Sequence, residues 1–288
     1  MKLALGTVQF GLPYGVANTT GQVEPGAVAA VLKHARLAGI DTLDTAIVYG
    51  ESEQRLGEVG VDGWRIVSKL PECPDACNDV AAWVKDQVQG SLSRLKVTRL
   101  AGILLHRPNQ LLEPKGKALW AALLDLKKDG IVDKAGFSIY EPRELDALWP
   151  DFHPDLVQAP YNVLDRRLVT SGWLQRMSRE GVEVHVRSVF LQGLLLMSEH
   201  DRPKKFARWS RLWAAWDAWL HEQGLSALQG CLGFAMADPN ISKVIVGVDS
   251  VHQLDAIVSF AETRISQCPE ILDSPDLDLI NPSRWNSL

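Results

Sequence analysis

Short apolar runs alternate with amphipathic stretches along the whole chain. Runs of strand character fall at Leu3 to Gly6, Thr42 to Asp44, Ile66 to Lys69, Gly102 to His106, Lys134 to Ser138, Leu156 to Ala159, Glu183 to Arg187 and Lys243 to Val246. A helical pattern follows each, at Pro25 to Ala38, Ser52 to Gly57, Asp79 to Leu95, Gly116 to Asp129, Arg143 to Leu148, Leu168 to Glu180, Ala207 to Ala235 with a break at Gly224, and Val251 to Phe260. Within Asp79 to Leu95 the residues Val80, Val84, Val88, Leu92 and Leu95 recur at spacings of three and four, which puts one apolar stripe along a helix. Start and stop signals agree, with Gly130 ending one helix and Ser226 and Asp238-Pro239 bracketing another. Such alternation predicts a parallel sheet with helical crossovers. Eight units in roughly 260 residues predict an α/β fold of the closed (β/α)8 TIM-barrel type, a single domain over residues 1–288.

Composition narrows the possible partners. The chain has 288 residues, 46% of them hydrophobic, and a net charge of −5. No run of Lys and Arg exceeds two residues, so no nucleic-acid partner is expected. Met1-Lys2-Leu3-Ala4-Leu5-Gly6 enters a strand directly without a secretory signal, and no apolar run is long enough to span a bilayer. A cytoplasmic protein with no membrane association is therefore expected. Four cysteines in a chain of this length do not form a disulfide framework. Cys73 and Cys77 follow Lys69 with a spacing of four, but no second ligand pair accompanies them, so they read as loop thiols and no metal site is expected. The stripe Trp209, Trp213, Trp216 and Trp219 reads as core, with a homo-oligomer contact as the alternative.

In a (β/α)8 barrel the working site lies at the carboxyl ends of the strands. Asp44, Lys69 and His106 fall at the ends of strands two, three and four, with Tyr49 in the loop just beyond strand two. Each alone has a dull explanation as a cap, a rim aromatic, a snorkelling lysine or a satisfied core histidine. Together in consecutive units they form a coherent set. An ammonium at Lys69 would lower the pKa of the Tyr49 phenol from its ordinary value near 10, Asp44 would balance the buried lysine, and His106 would orient a bound carbonyl. The set lacks a metal cluster and a nucleophile. It fits carbonyl reduction or alcohol oxidation with an external hydride source.

At this point the chain resembles the aldo-keto reductase family. The resemblance is carried, in order, by Leu5-Gly6-Thr7-Val8-Gln9-Phe10-Gly11, the stretch Asp44 to Glu53, Val67-Ser68-Lys69, Leu105-His106-Arg107-Pro108, Gly136-Phe137-Ser138 and Gln158-Ala159-Pro160-Tyr161-Asn162, and it covers residues 3 to 260. It implies a barrel that binds NADPH or NADH without a Rossmann domain. It also implies Tyr49 as general acid/base, Lys69 and Asp44 as its tuning pair, and His106 as the substrate-orienting group. For the cofactor it implies Ser138 and Gln158 on the nicotinamide carboxamide, Tyr161 near the residue that stacks on the ring, Thr7 and Val8 lining that end, and Ser188, Leu191 and Gly193 along the pyrophosphate. The segment 263–288 is expected to fold over the barrel mouth, with Trp285 covering the site.

The chain departs from the family pattern at the adenine end. Where many NADPH-preferring members carry a Lys-Ser pair and an Arg, this sequence has Gly247 and Gln253, with Asp249 and Asp255 beside them. A 2'-phosphate there would meet no cation and could face two carboxylates. Tyr14, Gln9, Arg107, Asn109, Phe190 and Gln192 are the rim candidates, and their polarity favours a small carbonyl or alcohol substrate of polar, sugar-like character. The rival readings are a nicotinamide-nucleotide-binding sensor or subunit without catalysis, and a barrel enzyme with Lys69 as a Schiff-base lysine.

Overall fold

The structure is a computed structural model and describes every residue except Ser266. Eight parallel strands close into a barrel in sequence order: β1 (Leu3–Gly6), β2 (Thr42–Asp44), β3 (Arg65–Leu70), β4 (Gly102–Leu105), β5 (Ala135–Ser138), β6 (Leu156–Pro160), β7 (Glu183–Arg187) and β8 (Lys243–Gly247). β1 closes the sheet by pairing with both β2 and β8.

Successive strand residues point to opposite faces, so each strand divides its side chains between the barrel interior and the surrounding helices. Leu3, Leu5, Leu43, Ile66, Ile103, Leu105, Phe137, Val157, Val184 and Val186 belong to the large cluster shared with the helices. Val67, Leu104 and Leu156 form a separate small cluster. Two residues beyond each of these three lie Lys69, His106 and Gln158, on the same face and nearer the carboxyl end. Adding two to Ala4, Thr42, Gly136, His185 and Ile245 likewise gives Gly6, Asp44, Ser138, Arg187 and Gly247. The strand period alone therefore builds a polar floor on an apolar plug.

Two glycines let the β1 and β2 loops meet under that floor. A Cβ on Gly11 would lie 1.7 Å from the Tyr49 carbonyl oxygen. Gly50 has φ +54° and a Cβ there would lie 2.4 Å from the Gly11 oxygen. Any side chain at either place would push Tyr49 out of position.

The helical pattern is observed with two breaks that have local causes. The helix expected from Leu168 to Glu180 is split into Arg167–Thr170 and Trp173–Arg179 by Gly172, whose φ is +79°. The long helix after β7 becomes a 3-10 segment at Lys204–Trp209, a helix at Ser210–Gln223 and, after left-handed Gly224, a helix at Ala227–Ala237 opened by a Ser226–Gln229 capping box. Trp213, Trp216 and Trp219 are buried within this chain. Trp213 donates to the Phe206 carbonyl and Trp216 to the Leu195 carbonyl, so the stripe anchors the long β7 loop to the helix behind it.

The C-terminal segment does not do what the sequence suggests. Trp285 is buried edge-on against Phe206 at 4.8 Å and donates to the Leu279 carbonyl. No described residue beyond Ile257 lines the cleft at the barrel mouth. An indole that large lowers its free energy most by filling an apolar notch, and Phe206 provides one beside the barrel. Among the described residues no helix is long and apolar enough to cross a membrane.

Glu53 is a buried structural carboxylate in the helix Ser52–Val59. It accepts hydrogen bonds from Ser68 of β3 at 2.6 Å, from Ser91 of the helix Val80–Leu95 at 2.6 Å, and from Arg94 of that helix at 2.9 Å. Truncating it leaves two buried hydroxyls and a guanidinium without their acceptor. Glu53→Ala is expected to lower stability by about 3 kcal/mol, near the low end for a broken buried ion pair because Arg94 is partly exposed. Urea unfolding of the variant measures this, and a loss below about 1 kcal/mol would show that the network contributes little.

Candidate active site

The polar floor opens into a cleft of about 560 Å³ at the carboxyl ends of the strands. It is lined by Asp44, Tyr49, His106, Ser138, Gln158 and Arg187 on one side and by Gly247, Asp249, His252 and Gln253 at the far end. The loop after β1 crosses toward the loop after β7: Gln192 donates from its side chain to the Tyr14 hydroxyl, and the Ala17 amide donates to the Gln192 carbonyl.

Lys69 and Asp44 form the electrostatic centre. Lys69 Nζ donates to both Asp44 carboxylate oxygens at 2.8 Å and to the Thr45 carbonyl at 2.9 Å. Its three N–H donors are spent and its side chain is 1% exposed, so the amine has no free lone pair or access for covalent chemistry. Burial pushes the Lys69 pKa down, and Asp44 opposes that shift. Gln158 donates from Nε2 to Asp44 Oδ1 at 2.6 Å, which leaves Gln158 Oε1 buried with no partner among the described residues. Thr7 donates from both its amide and its hydroxyl to the Asp44 carbonyl, locking β1 to β2 beneath the site.

Tyr49 lies beside this pair, with Lys69 Nζ 5.0 Å from its ring centroid and the His106 ring edge-on at 6.0 Å. The sequence led us to expect a depressed phenol pKa. The structure shows the reverse, because burial is the largest influence and the Asp44 carboxylate adds to it, with Arg187 acting against them. Lys69 is committed to Asp44, and the carboxylate charge is felt at the phenol. Tyr49 is thus held as a neutral proton donor. His106 is also neutral: burial, then Lys69, Arg187 and Arg107, push its pKa down to about 3. A protonated phenol and a neutral imidazole therefore line the same cleft.

The strap residues are only partly where the sequence places them. Thr7, Val8, Ser138, Ser188, Gly193, Gly247 and Gln253 line the cleft. Tyr161 does not; it stacks on Phe234 at 5.0 Å, outside the barrel. It lies three residues from inward-facing Gln158, and an odd offset along a strand reverses the face. Leu191 is fully buried at φ +48° behind the turn, and Phe190 takes the cleft-facing place. Asp255 lies outside the cleft lining and pairs with His34 at 3.4 Å, so among the described lining residues Asp249 alone presents a carboxylate at the far end. Arg107 and Asn109 are not among the lining residues.

Arg187 and Tyr140 are lining residues that the motif reading passed over. Extending the strand period to Glu183–Arg187 and beyond Ser138 would have found both. The cysteines are all free, Cys73 is buried, and burial pushes its thiol up to about 11, which suppresses reactive thiolate. Among the described residues no group of three or more His, Cys, Asp or Glu could hold a metal ion.

A family model described as the Aldo/keto reductase family matches residues 2–268. An uncharacterized oxidoreductase from Mycobacterium tuberculosis (strain ATCC 25618 / H37Rv) is 30% identical over 190 residues, which cover 58% of this chain and 56% of that protein. The chain thus matches little more than half the length of that relative. An uncharacterized oxidoreductase from Bacillus subtilis (strain 168) is 22% identical over 285 residues, covering 91% of this chain and 92% of that one. Among solved structures, the holo form of an aldo-keto reductase from Bacillus halodurans superposes with a TM-score of 0.73 at 20% identity, covering 92% of this chain and 88% of its own, a likeness of fold.

The neutral imidazole has a consequence for stability. Below pH 6.5 an unfolded chain takes up a proton at His106 that the folded chain refuses until about pH 3. This group therefore contributes its stability in full above pH 6.5 and loses it as the pH falls toward 3. The melting temperature is expected to fall less steeply between pH 6.5 and pH 4 in His106→Gln than in the unaltered protein. Parallel curves in differential scanning calorimetry would show that His106 titrates normally.

Proposed function

Because the chain belongs to the aldo/keto reductase family, we propose that it is an NAD(P)(H)-dependent oxidoreductase that reduces an aldehyde or ketone, or oxidises the corresponding alcohol, at the barrel mouth. The observation that carries this reading is a neutral phenol and a neutral imidazole facing one cleft above a buried Lys69–Asp44 pair. The oxidoreductase names of the mycobacterial and Bacillus relatives support it.

The cleft has the features a nicotinamide dinucleotide needs. Gln158 Oε1 is a buried acceptor without a partner, suited to an amide N–H, and Ser138 lies beside it in register. A Cβ on Gly247 would lie 2.2 Å from the Gln9 side-chain amide, so the glycine leaves that amide its present place at the strand end. Ser188, Gln192 and Gly193 all have positive φ, and Asn162 holds the Ser188 carbonyl at 3.0 Å, shaping a tight turn along the cleft that begins and ends on a small residue. Thr7, Val8, Ser138 and Gln158 would hold the nicotinamide end, and Ser188, Gly193, Gly247 and Gln253 the remainder. Bound there, the cofactor supplies or accepts hydride.

The residues of the chain then handle the oxygen and its proton. Tyr49 gives its phenol proton to the carbonyl oxygen as negative charge develops there, and takes it back in the reverse direction. His106 donates a hydrogen bond to the same oxygen, fixing the carbonyl and sharing its charge. Lys69 offsets Asp44 and keeps the floor rigid while Tyr49 is transiently anionic. Tyr49→Phe is expected to lower kcat for carbonyl reduction by about 10³-fold, while NADH binding, read by tryptophan quenching, stays within about twofold. Retained turnover would refute the acid/base role.

Cofactor preference follows from charge at the far end. Asp249 Oδ1 is buried without a partner, burial raises its pKa, and among the described lining residues no Lys or Arg stands at that end. A carboxylate accepts from a ribose hydroxyl and repels a phosphate. NADH is expected to bind at least as tightly as NADPH. Titration of both settles this, and a hundredfold preference for NADPH would overturn it.

A further inference from the structure

The segments that leave β3 and β4 are bonded to each other at two levels. At the strand ends the His106 amide donates to the Leu70 carbonyl at 3.1 Å. Further on, the Gln110 side chain clasps the backbone of Cys73: Gln110 Oε1 accepts from the Cys73 amide and Gln110 Nε2 donates to the Cys73 carbonyl, each at 2.9 Å. Gln110 is itself buried in the 3-10 segment Pro108–Leu112, which follows His106 directly after Arg107. A displacement of Cys73 is therefore carried to the segment that holds His106.

Cys73 leads into a tight turn that ends on a second thiol. The Cys77 amide donates to the Pro74 carbonyl at 2.9 Å, and one ammonium, that of Lys115, donates to the carbonyls of Pro74, Asp75 and Cys77. Three carbonyls drawn to one cation fold the segment from Cys73 to Cys77 back on itself. The two thiols are left as neighbours with different access: Cys73 is buried in the core, whereas Cys77 is half-buried against it. Burial, and after it the adjacent Cys77 thiol, push Cys73 up to about 11, with Lys115 acting the other way. Among the described residues no third His, Cys, Asp or Glu joins the pair to hold a metal ion. The other two thiols are placed differently. Cys231 is fully buried inside the helix Ala227–Ala237, and Cys268 Sγ receives an N–H of Arg166 at 3.0 Å.

We propose that Cys73 and Cys77 are an oxidisable pair, that a hydroperoxide closes them into a disulfide, and that closure displaces His106 through Gln110. The Cys77 sulfur, the more accessible, attacks one oxygen of hydrogen peroxide. The O–O bond breaks, the thiol proton passes to the departing oxygen, and water leaves a sulfenic acid on Cys77. The Cys73 sulfur then attacks the Cys77 sulfur, the S–O bond breaks, and the Cys73 proton departs with the hydroxyl as a second water. Two thiols have then lost two electrons, and the peroxide has been reduced to two waters. A buried, weakly acidic Cys73 is unsuited to the first attack, and its proximity suits it to the second. The new bond draws Cys73 toward the turn, and the Gln110 clasp moves with it.

The test treats the intact reduced protein with hydrogen peroxide, then unfolds it, labels free thiols with a maleimide and digests it with trypsin. Cys73 and Cys77 share the fragment Leu70–Lys85. Two of the four cysteines are expected to escape the label and that fragment to be lighter by two hydrogens, with all four labelled again after dithiothreitol. In Cys73→Ser, dimedone is expected to trap a sulfenic acid on Cys77. In Cys77→Ser, Cys73 is expected to stay reduced. The ring-proton resonances of His106, assigned by their loss in His106→Gln, are expected to shift when the unaltered protein is oxidised and to stay in place in Cys77→Ser treated alike. Label on both Cys73 and Cys77 after peroxide, a bridge from either to Cys231, Cys268 or a second molecule, or unmoved His106 resonances in the oxidised protein would each overturn the proposal. None of these readouts uses turnover, so the outcome is independent of the carbonyl-reduction reading above.

Discussion

The site is organised by the pairing of Lys69 with Asp44. One carboxylate gathers the lysine of β3 through both oxygens and the Gln158 amide of β6, while the backbone carbonyl of the same residue receives two bonds from Thr7 after β1. Four segments of the barrel wall are thereby fixed to one residue. Burying two opposite charges costs desolvation that their attraction only partly returns, so such a pair is weak evidence of stabilisation. Removing one partner is a different matter, costing about 3–5 kcal/mol because the other is stranded. The pair is thus best understood as a device for placement, which keeps the Gln158 acceptor and the Tyr49 ring in fixed positions above an apolar plug.

That arrangement also decides the resting state of the proposed acid. A lysine committed to a carboxylate offers a nearby phenol little net field, and burial then prevails, so the phenol keeps its proton. A protonated Tyr49 and a neutral His106 are both donors, which is the condition for receiving a carbonyl oxygen. Arg187 opposes the rise of the Tyr49 pKa and the protonation of His106, and Arg107 adds to the second effect.

The barrel was legible because each strand is a short apolar run followed by a helical stretch, with a polar residue at the carboxyl end of β2, β5 and β7 and just inside or beyond that of β3, β4 and β6. Asp44, Lys69 and His106 could be named for the same reason, since a strand end requires no knowledge of facing. Tyr161 and Leu191 went astray where motif resemblance was not checked against facing. Arg187 was passed over although the period of two along Glu183 to Arg187 points it inward as surely as Gln158. The C-terminal segment was misread for a different reason. Whether Trp285 covers the mouth or fills a notch depends on where Phe206 sits, and that is set by the packing of a long loop rather than by any local pattern. The raised phenol pKa was out of reach as well, because it depends on how completely Asp44 absorbs the lysine charge.

The cleft has a polarity that the residues on its floor alone do not explain. Among the described residues, a guanidinium without a carboxylate lies over Tyr140, and a carboxylate oxygen without a donor stands beyond Gly247 at the other end. Both are partly shielded from water, so their fields act along the cleft with less screening than on an open surface. A dinucleotide carries its negative charge in the middle, and a 2'-phosphate adds more at one end only. The far end of the cleft, where Asp249 stands beside Gly247 and Gln253, is a poor neighbour for added negative charge, and this follows from the strand-eight loop rather than from the polar floor.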